Sequence, residues 1–175
     1  SRTINDTVLA ALPSLISFSQ IIHQTGEQHF KEIEGTAKVA MTGNEHAGRY
    51  HPFAFLNMLA MKRSAGIADV IISRAGSTAI AEIALWAKPA ILIPIPESIS
   101  HDQKTNAYTY AHTGAATVLE EQNLTSNLLV SEIKRILDNK ELSADMSEKS
   151  KKFRYADAAK VIATEAIEIA LEHEK

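Results

Sequence analysis

Between positions 68 and 94 the chain spells out strand, turn, helix and strand in immediate succession, and this succession constrains the fold more than any other feature. Ala68-Asp69-Val70-Ile71-Ile72-Ser73 is a largely β-branched run, Arg74-Ala75-Gly76-Ser77 a tight turn, residues 78–87 a helix, and Ala90-Ile91-Leu92-Ile93-Pro94 a second apolar run. Both runs are continuously apolar rather than alternating, as strands covered on both faces must be. A helix-length segment joins them, which calls for parallel pairing. The expected class is therefore α/β, a doubly wound, Rossmann-like parallel sheet.

The rest of the chain is read in the same way. Ile4, Val8, Leu9 and Leu12 recur at helical spacing, and Pro13 is expected to stop that helix. Residues 18–23 read as a buried strand, running into a turn at Gln24-Thr25-Gly26. A helix carrying Phe30, Ile33 and Val39 follows, then a strand over 50–56 and a helix over 58–67. Helices are expected at 104–113, 126–137 and 157–173, with 139–152 a polar surface connection.

At 175 residues and 45% hydrophobic content, the chain can bury one sizeable core, so a single domain is expected. Eighteen Lys and Arg stand against 21 Asp and Glu, a net charge of -3. That balance offers no broad footprint for nucleic acid or anionic lipid, so any bound anion must be held locally. Without cysteine there are no disulfides or thiolate metal sites. The most apolar stretch, 78–96, is broken by Glu82, Lys88 and three prolines, which excludes a membrane-spanning helix and predicts a soluble domain. The opening Ser1-Arg2-Thr3 has neither initiator Met nor signal peptide, from which a preceding segment is expected.

In open parallel sheets, ligands bind beyond the carboxyl ends of the strands. Three segments end there: His23-Gln24-Thr25-Gly26, the turn from Ser73 to Thr78, and the loop running from Pro94 to Asn106. In the second, Gly76 would let the backbone turn sharply. The amides of Ser77, Thr78 and Ala79 would then lie unpaired at a helix N-terminus, which suits a phosphate or diphosphate. The alternative is a plain turn with Ser77 or Thr78 as N-cap. No Walker lysine and no G-x-G-x-x-G is present. Glu82 lies off the stripe of Ile80, Ile83, Ala84 and Ala87, and Ala79 cannot make a capping box with it. It reads either as a solvated helix residue or as a carboxylate accepting from ribose hydroxyls. Ser100-His101-Asp102-Gln103 fits a capping box, while Asp102 and Gln103 also have the donors and acceptors a hexose needs. The seven histidines show no metal-ligand spacing, and no G-x-S-x-G elbow occurs. His23, at a strand end, is either a ligand contact or base, or a structural histidine.

Taken in order, Ile22-His23-Gln24-Thr25-Gly26, Ser73-Arg74-Ala75-Gly76-Ser77-Thr78-Ala79-Ile80-Ala81-Glu82, Lys88-Pro89-Ala90-Ile91-Leu92-Ile93-Pro94, Gln103-Lys104-Thr105-Asn106-Ala107 and Gly114-Ala115-Ala116 resemble the C-terminal domain of the MurG family. That family comprises inverting N-acetylglucosaminyltransferases of glycosyltransferase family 28, with the two-domain GT-B architecture. The resemblance covers nearly the whole chain, with departures at Ser77, where Ala is common, and at Asp102, where His or Gln stands. It implies a UDP-sugar-binding domain spanning residues 1–175, whose acceptor-binding, membrane-contacting partner domain and catalytic base lie outside this chain. It further implies that Ser73, Arg74, Gly76, Ser77 and Thr78 cradle the donor diphosphate, that Glu82 binds ribose, and that the backbone near Leu56 reads uracil. Gln103 with Asp102 would hold the sugar, and Asn106 and His23 complete the implied substrate contacts. The implied donor is UDP-N-acetylglucosamine, the acceptor a lipid-linked N-acetylmuramoyl-pentapeptide, with no metal or tightly bound cofactor. The implied location is the cytoplasmic face of the membrane. Two alternatives are a related transferase with another acceptor, such as diacylglycerol, and a non-catalytic nucleotide-sugar-binding module.

Overall fold

The computed structural model describes residues 1–154 and 158–173. The helices are α1 (Arg2–Leu15), α2 (Phe30–Ala40), α3 (Met58–Ile67), α4 (Ser77–Trp86), α5 (His101–His112), α6 (Ser126–Leu137), α7 (Lys140–Lys152) and α8 (Ala158–His173). The strands are β1 (Ile21–Gln24), β2 (Tyr50–Phe53), β3 (Ile71–Ser73), β4 (Ala90–Leu92) and β5 (Ala116–Val118). All strand pairings are parallel, and they form a β1-β2 ladder and a β3-β4-β5 ladder. Among the described residues, no helix is long and apolar enough to cross a membrane.

Alternation along β4 shows why its run is apolar throughout. Ile91 and Ile93 pack with Val8, Ala11 and Leu15 of α1 and with Leu129, Ile133 and Ile136 of α6. Ala90 and Leu92 pack on the other side with Ile80 and Ile83 of α4 and with Ala107 and Tyr110 of α5. The three residues of β4 and Ile93 just beyond it are all fully buried. A strand sandwiched between two helical layers has no polar face to show, which makes the sheet doubly wound. A third cluster, Leu12, Ile16, Ala37, Met41 and Tyr50, joins α1, α2 and β2.

Several sequence expectations need correction. Pro13 lies inside α1 rather than ending it. The proline forgoes one backbone hydrogen bond, but Leu15 and Ile16 just beyond it are buried, and that burial outweighs the loss. Val39 faces solvent at 76% exposure, and only Ile33 and Ala37 of α2 turn inward. The strands are shorter than their apolar runs. Residues 54–56 leave β2 for a loop, and residues 68–70 precede β3. The segment 139–152 is not a connection. It forms α7, capped by Asn139, whose Oδ1 accepts from Leu142 N–H at 3.0 Å. Only Leu142, Met146 and Ser150 turn inward, a stripe too narrow to lift the segment's mean hydropathy. Strand β5 was not expected at all. It follows Gly114, whose φ of +83° is a backbone conformation that side chains rarely adopt. Asp157, the expected start of α8, lies outside the described residues.

Candidate functional site

The β3–α4 turn and the β4–α5 loop come together at the carboxyl end of the β3-β4-β5 ladder. The Ile93 N–H donates to Ser73 O at 2.9 Å, continuing the ladder into the loops. Asn106 of α5 donates through Nδ2 to Ala75 O at 3.4 Å, which ties α5 to the turn. Gln103 accepts through Oε1 from Ile95 N–H at 3.2 Å, and so braces the loop over residues 94–100.

Helix α4 starts at Gly76 as N-cap, with no side-chain cap and no acidic residue in its first turn. Neither Ser77 nor Thr78 caps it. The amides of Ser77, Thr78 and Ala79 have no acceptor among the described residues, and the Ser77 and Thr78 side chains are exposed. Gly76 itself has φ −67° and ψ 145°, a conformation open to any residue, so the expected sharp glycine turn is not what places glycine here. A Cβ at Gly76 would meet nothing within 4 Å. The protein's own packing gives no reason for a glycine at this N-cap, where the next three amides are free. Glu82 is exposed on the outer face of α4, with no hydrogen-bond or ion-pair partner among the described residues.

Arg74 is committed elsewhere. Its Nη1 donates to Ile93 O and Pro94 O at 3.1 and 3.0 Å, while Nε and Nη2 donate to Ser1 Oγ at 3.1 and 2.7 Å. Nη2 also pairs with Glu121 at 2.5 Å, and both side chains are about four-fifths buried. Gln103 does not make the expected capping box. Ser100 is the N-cap but forms no side-chain bond, and the Gln103 carbonyl oxygen is spent on Ile95. Its Nε2 end has no partner among the described residues. Asp102 is exposed in the first turn of α5.

His23 takes the structural reading. Asn5 Nδ2 donates to Thr25 O at 3.0 Å, which turns Asn5 Oδ1 toward His23 Nε2, also at 3.0 Å. Nε2 therefore carries the proton, and Nδ1 accepts from Tyr50 O–H at 2.9 Å. With both nitrogens used and only 8% of the residue exposed, neither a ligand contact nor a base is available. Burial pushes its pKa down to about 4. Leu56, at the end of the β2–α3 loop, is buried and its N–H is held by Gln24 Oε1 at 2.8 Å. Its carbonyl has no donor among the described residues.

Beside the β4–α5 loop, a cleft of about 270 Å³ is lined by Pro94, Ile95, Pro96, Lys104, Glu120 and Glu121, among others. In it Lys104 Nζ lies 3.3 Å from Glu120 and 3.9 Å from Glu97. Tyr108 O–H donates to Glu120 at 2.8 Å. The Tyr108 hydrogen bond, with that from Lys104, holds the Glu120 carboxyl below its usual range, and Glu120 in turn raises Lys104. Glu120 and Glu121 do not stand out in the sequence, because β5, the short strand that delivers them, has too few residues to show a pattern.

The chain matches the Glycosyltransferase family 28 C-terminal domain over residues 1–162. It is 34% identical over 161 residues to a UDP-N-acetylglucosamine--N-acetylmuramyl-(pentapeptide) pyrophosphoryl-undecaprenol N-acetylglucosamine transferase of Natranaerobius thermophilus, covering 91% of this chain and 43% of that protein. To the enzyme of the same name from Syntrophotalea carbinolica it is 36% identical over 163 residues, again 91% of this chain and 43% of that one. The chain thus spans less than half the length of these relatives. Its fold superposes on the crystal structure of Acinetobacter baumannii MurG with a TM-score of 0.74 at 22% identity, over 93% of this chain and 45% of that one. It also superposes on a kitacinnamycin glycotransferase with a TM-score of 0.64 at 16% identity, over 91% and 38%. The two-faced parallel sheet is therefore a Rossmann-like domain of the GT-B kind, and the chain belongs to the glycosyltransferase family 28 C-terminal domain family, as its MurG-like motifs imply.

Proposed function

We propose that this chain is the donor-binding domain of an inverting glycosyltransferase that moves N-acetylglucosamine from UDP-N-acetylglucosamine to a lipid-linked N-acetylmuramoyl-pentapeptide. The observation that carries the reading is Gly76, a glycine its own backbone does not require, facing open space at the unpaired N-terminus of α4. A diphosphate there would accept from the amides of Ser77, Thr78 and Ala79 and would meet the positive end of the helix dipole. As the glycosidic bond breaks, negative charge accumulates on UDP. Donors already fixed by the fold would stabilise it without reorganisation, the term that contributes most in such reactions.

Glu82 stands one turn along α4, where its carboxylate would accept from both ribose hydroxyls. With the Leu56 N–H occupied, its carbonyl is the group left to accept from the uracil ring N–H. Asp102 and the free amide end of Gln103 would hold the hexose. On this reading Ser73 and Asn106 shape the cradle from behind rather than touching the donor, and His23 stabilises the sheet that presents Leu56. The acceptor, the base and any membrane contact belong to a partner domain, as expected of a chain covering 43% of its named relatives.

Gly76→Ala tests the proposal. The added methyl meets no protein atom but alanine is the poorer N-cap, so stability should fall by no more than about 1 kcal/mol, while UDP affinity measured by calorimetry should fall at least about tenfold. Unchanged UDP binding would remove the diphosphate from this helix. The alternative acceptor, diacylglycerol, is separated by transfer assays with the full-length protein.

A further inference from the structure

We propose that Arg74 and Glu121 form a positioning pair that fixes the diphosphate cradle relative to the sugar-binding residues and that neither touches the donor; the inference rests on the donor-site reading above. Arg74 sits next to the cradle in sequence, where a cation is expected to reach for phosphate. Its geometry points away from that role. The three guanidinium nitrogens make five polar contacts, to Ile93 O, Pro94 O, twice to Ser1 Oγ, and to Glu121. Four of the five N–H donors of the arginine are used in hydrogen bonds, and the fifth, on Nη2, lies against the largely buried Glu121 carboxylate, so a ligand would have to compete with that ion pair.

What the contacts join explains their use. Ile93 and Pro94 open the loop whose next residue, Ile95, donates to Gln103, so Arg74 links the Ala75-Gly76 turn to the segment that orients Gln103. Glu121 is itself oriented, since its Oε1 accepts from Thr3 Oγ1 at 3.0 Å. The chain of contacts runs from α1 through Glu121 and Arg74 to the sugar side of the site. Its fork geometry matters as much as its charge, because two adjacent carbonyls are held by one nitrogen.

The two roles for Arg74 predict opposite signs at Glu121. If Arg74 positions, then Arg74→Lys, Glu121→Gln and Glu121→Ala should all leave plain UDP affinity within about twofold while weakening UDP-N-acetylglucosamine about tenfold and lowering kcat. Lysine should not rescue, and Arg74→Lys combined with Glu121→Gln should be no worse than either alone, because the two act as one unit. If Arg74 is a phosphate ligand held in check, removing Glu121 should tighten UDP, and lysine should rescue. The measurements are calorimetry with UDP and with UDP-N-acetylglucosamine, transfer kinetics in the full-length protein, and melting temperatures. Tightened UDP binding in Glu121→Ala, rescue by lysine, or equal loss of both ligands with a lowered melting temperature would each overturn the pair. Failure of the unsubstituted protein to bind UDP at all would remove the donor-site reading together with it.

Discussion

Lowering the pH from about 7.5 to about 5 should destabilise the 175-residue chain by about 2 kcal/mol, chiefly through His23. The imidazole is locked between Asn5 and Tyr50, and burial lowers its pKa from 6.5 to about 4. Between those values the unfolded chain binds a proton that the folded one refuses. Stability is thus complete above about 6.5, declines as the pH falls, and reaches its full loss below about 4. The whole gap, at about 1.4 kcal/mol per pH unit, is worth about 3 kcal/mol, and about two-thirds of it is spent by pH 5. For a domain of this size that corresponds to about 4–8 °C in melting temperature. The carboxylates Glu120 and Glu132, held below their usual value by Tyr108 and by Arg135, contribute stability above that value. They lose it only as the pH falls through their lowered values, outside this window. Urea unfolding at a series of pH values gives the slope, and His23→Leu supplies the control. The variant should be weaker at neutral pH but nearly flat down to pH 5. A wild-type curve as flat as the variant's, or a variant that keeps the wild-type slope, would refute the buried neutral histidine and reopen a catalytic role for it.

Glu82→Ala should weaken UDP binding by about 1–3 kcal/mol through the loss of a charged acceptor, with the melting temperature unmoved because the side chain is exposed and unpartnered. Unchanged affinity in calorimetry would make Glu82 a solvated helix residue. Gln103→Ala should raise the KM for UDP-N-acetylglucosamine while the inhibition constant of plain UDP stays put, and should cost about 1 kcal/mol of stability by orphaning the Ile95 N–H. Equal loss of both ligands would leave Gln103 only its bracing role. Ala87, the C-cap of α4, has φ +52° without being glycine. Ala87→Gly should therefore stabilise the domain by about 0.5–1 kcal/mol in urea unfolding, and a loss instead would show that the side chain's packing outweighs the backbone strain.

The parallel sheet was legible because its evidence is local. Residues 70–72 and 90–93 are β-branched or aliphatic throughout, and the helix between them carries Ile80, Ile83 and Ala84 on one face. What escaped has a physical cause in each case. Helix α7 hides because it turns only one residue per turn inward and one of these, Ser150, is polar, hydrogen-bonded to the Tyr110 hydroxyl at 2.7 Å. Its cap at Asn139 and the spacing of Leu142 and Met146 were the available signals. Strand β5 is three residues long and contains a threonine, too little for any periodicity. At the site, residue types were readable but commitments were not. Arg74, Gln103 and His23 all look like ligand residues until their partners are known, and those partners, Glu121, Ile95 and Asn5, are distant in sequence or lie on the backbone.

That distinction between committed and uncommitted polar groups separates the scaffold from the proposed contact surface. Asn106, the Gln103 carbonyl, Arg74 and the Leu56 N–H all face protein partners, and together they fix three loops. What they leave over is a consistent set. Three amides of the α4 N-terminus suit an anion, an exposed carboxylate suits a vicinal diol, a free carbonyl suits a ring N–H, and an amide with a carboxylate suits a hexose. Free donors fixed by spent neighbours need no rearrangement when the diphosphate charge develops, so binding energy can be used on the departing group rather than on ordering the loops. The same preorganisation would strengthen simple nucleotide-sugar capture, so the two readings separate only in the bond-breaking step, where a transferase holds the departing UDP more tightly than the intact donor.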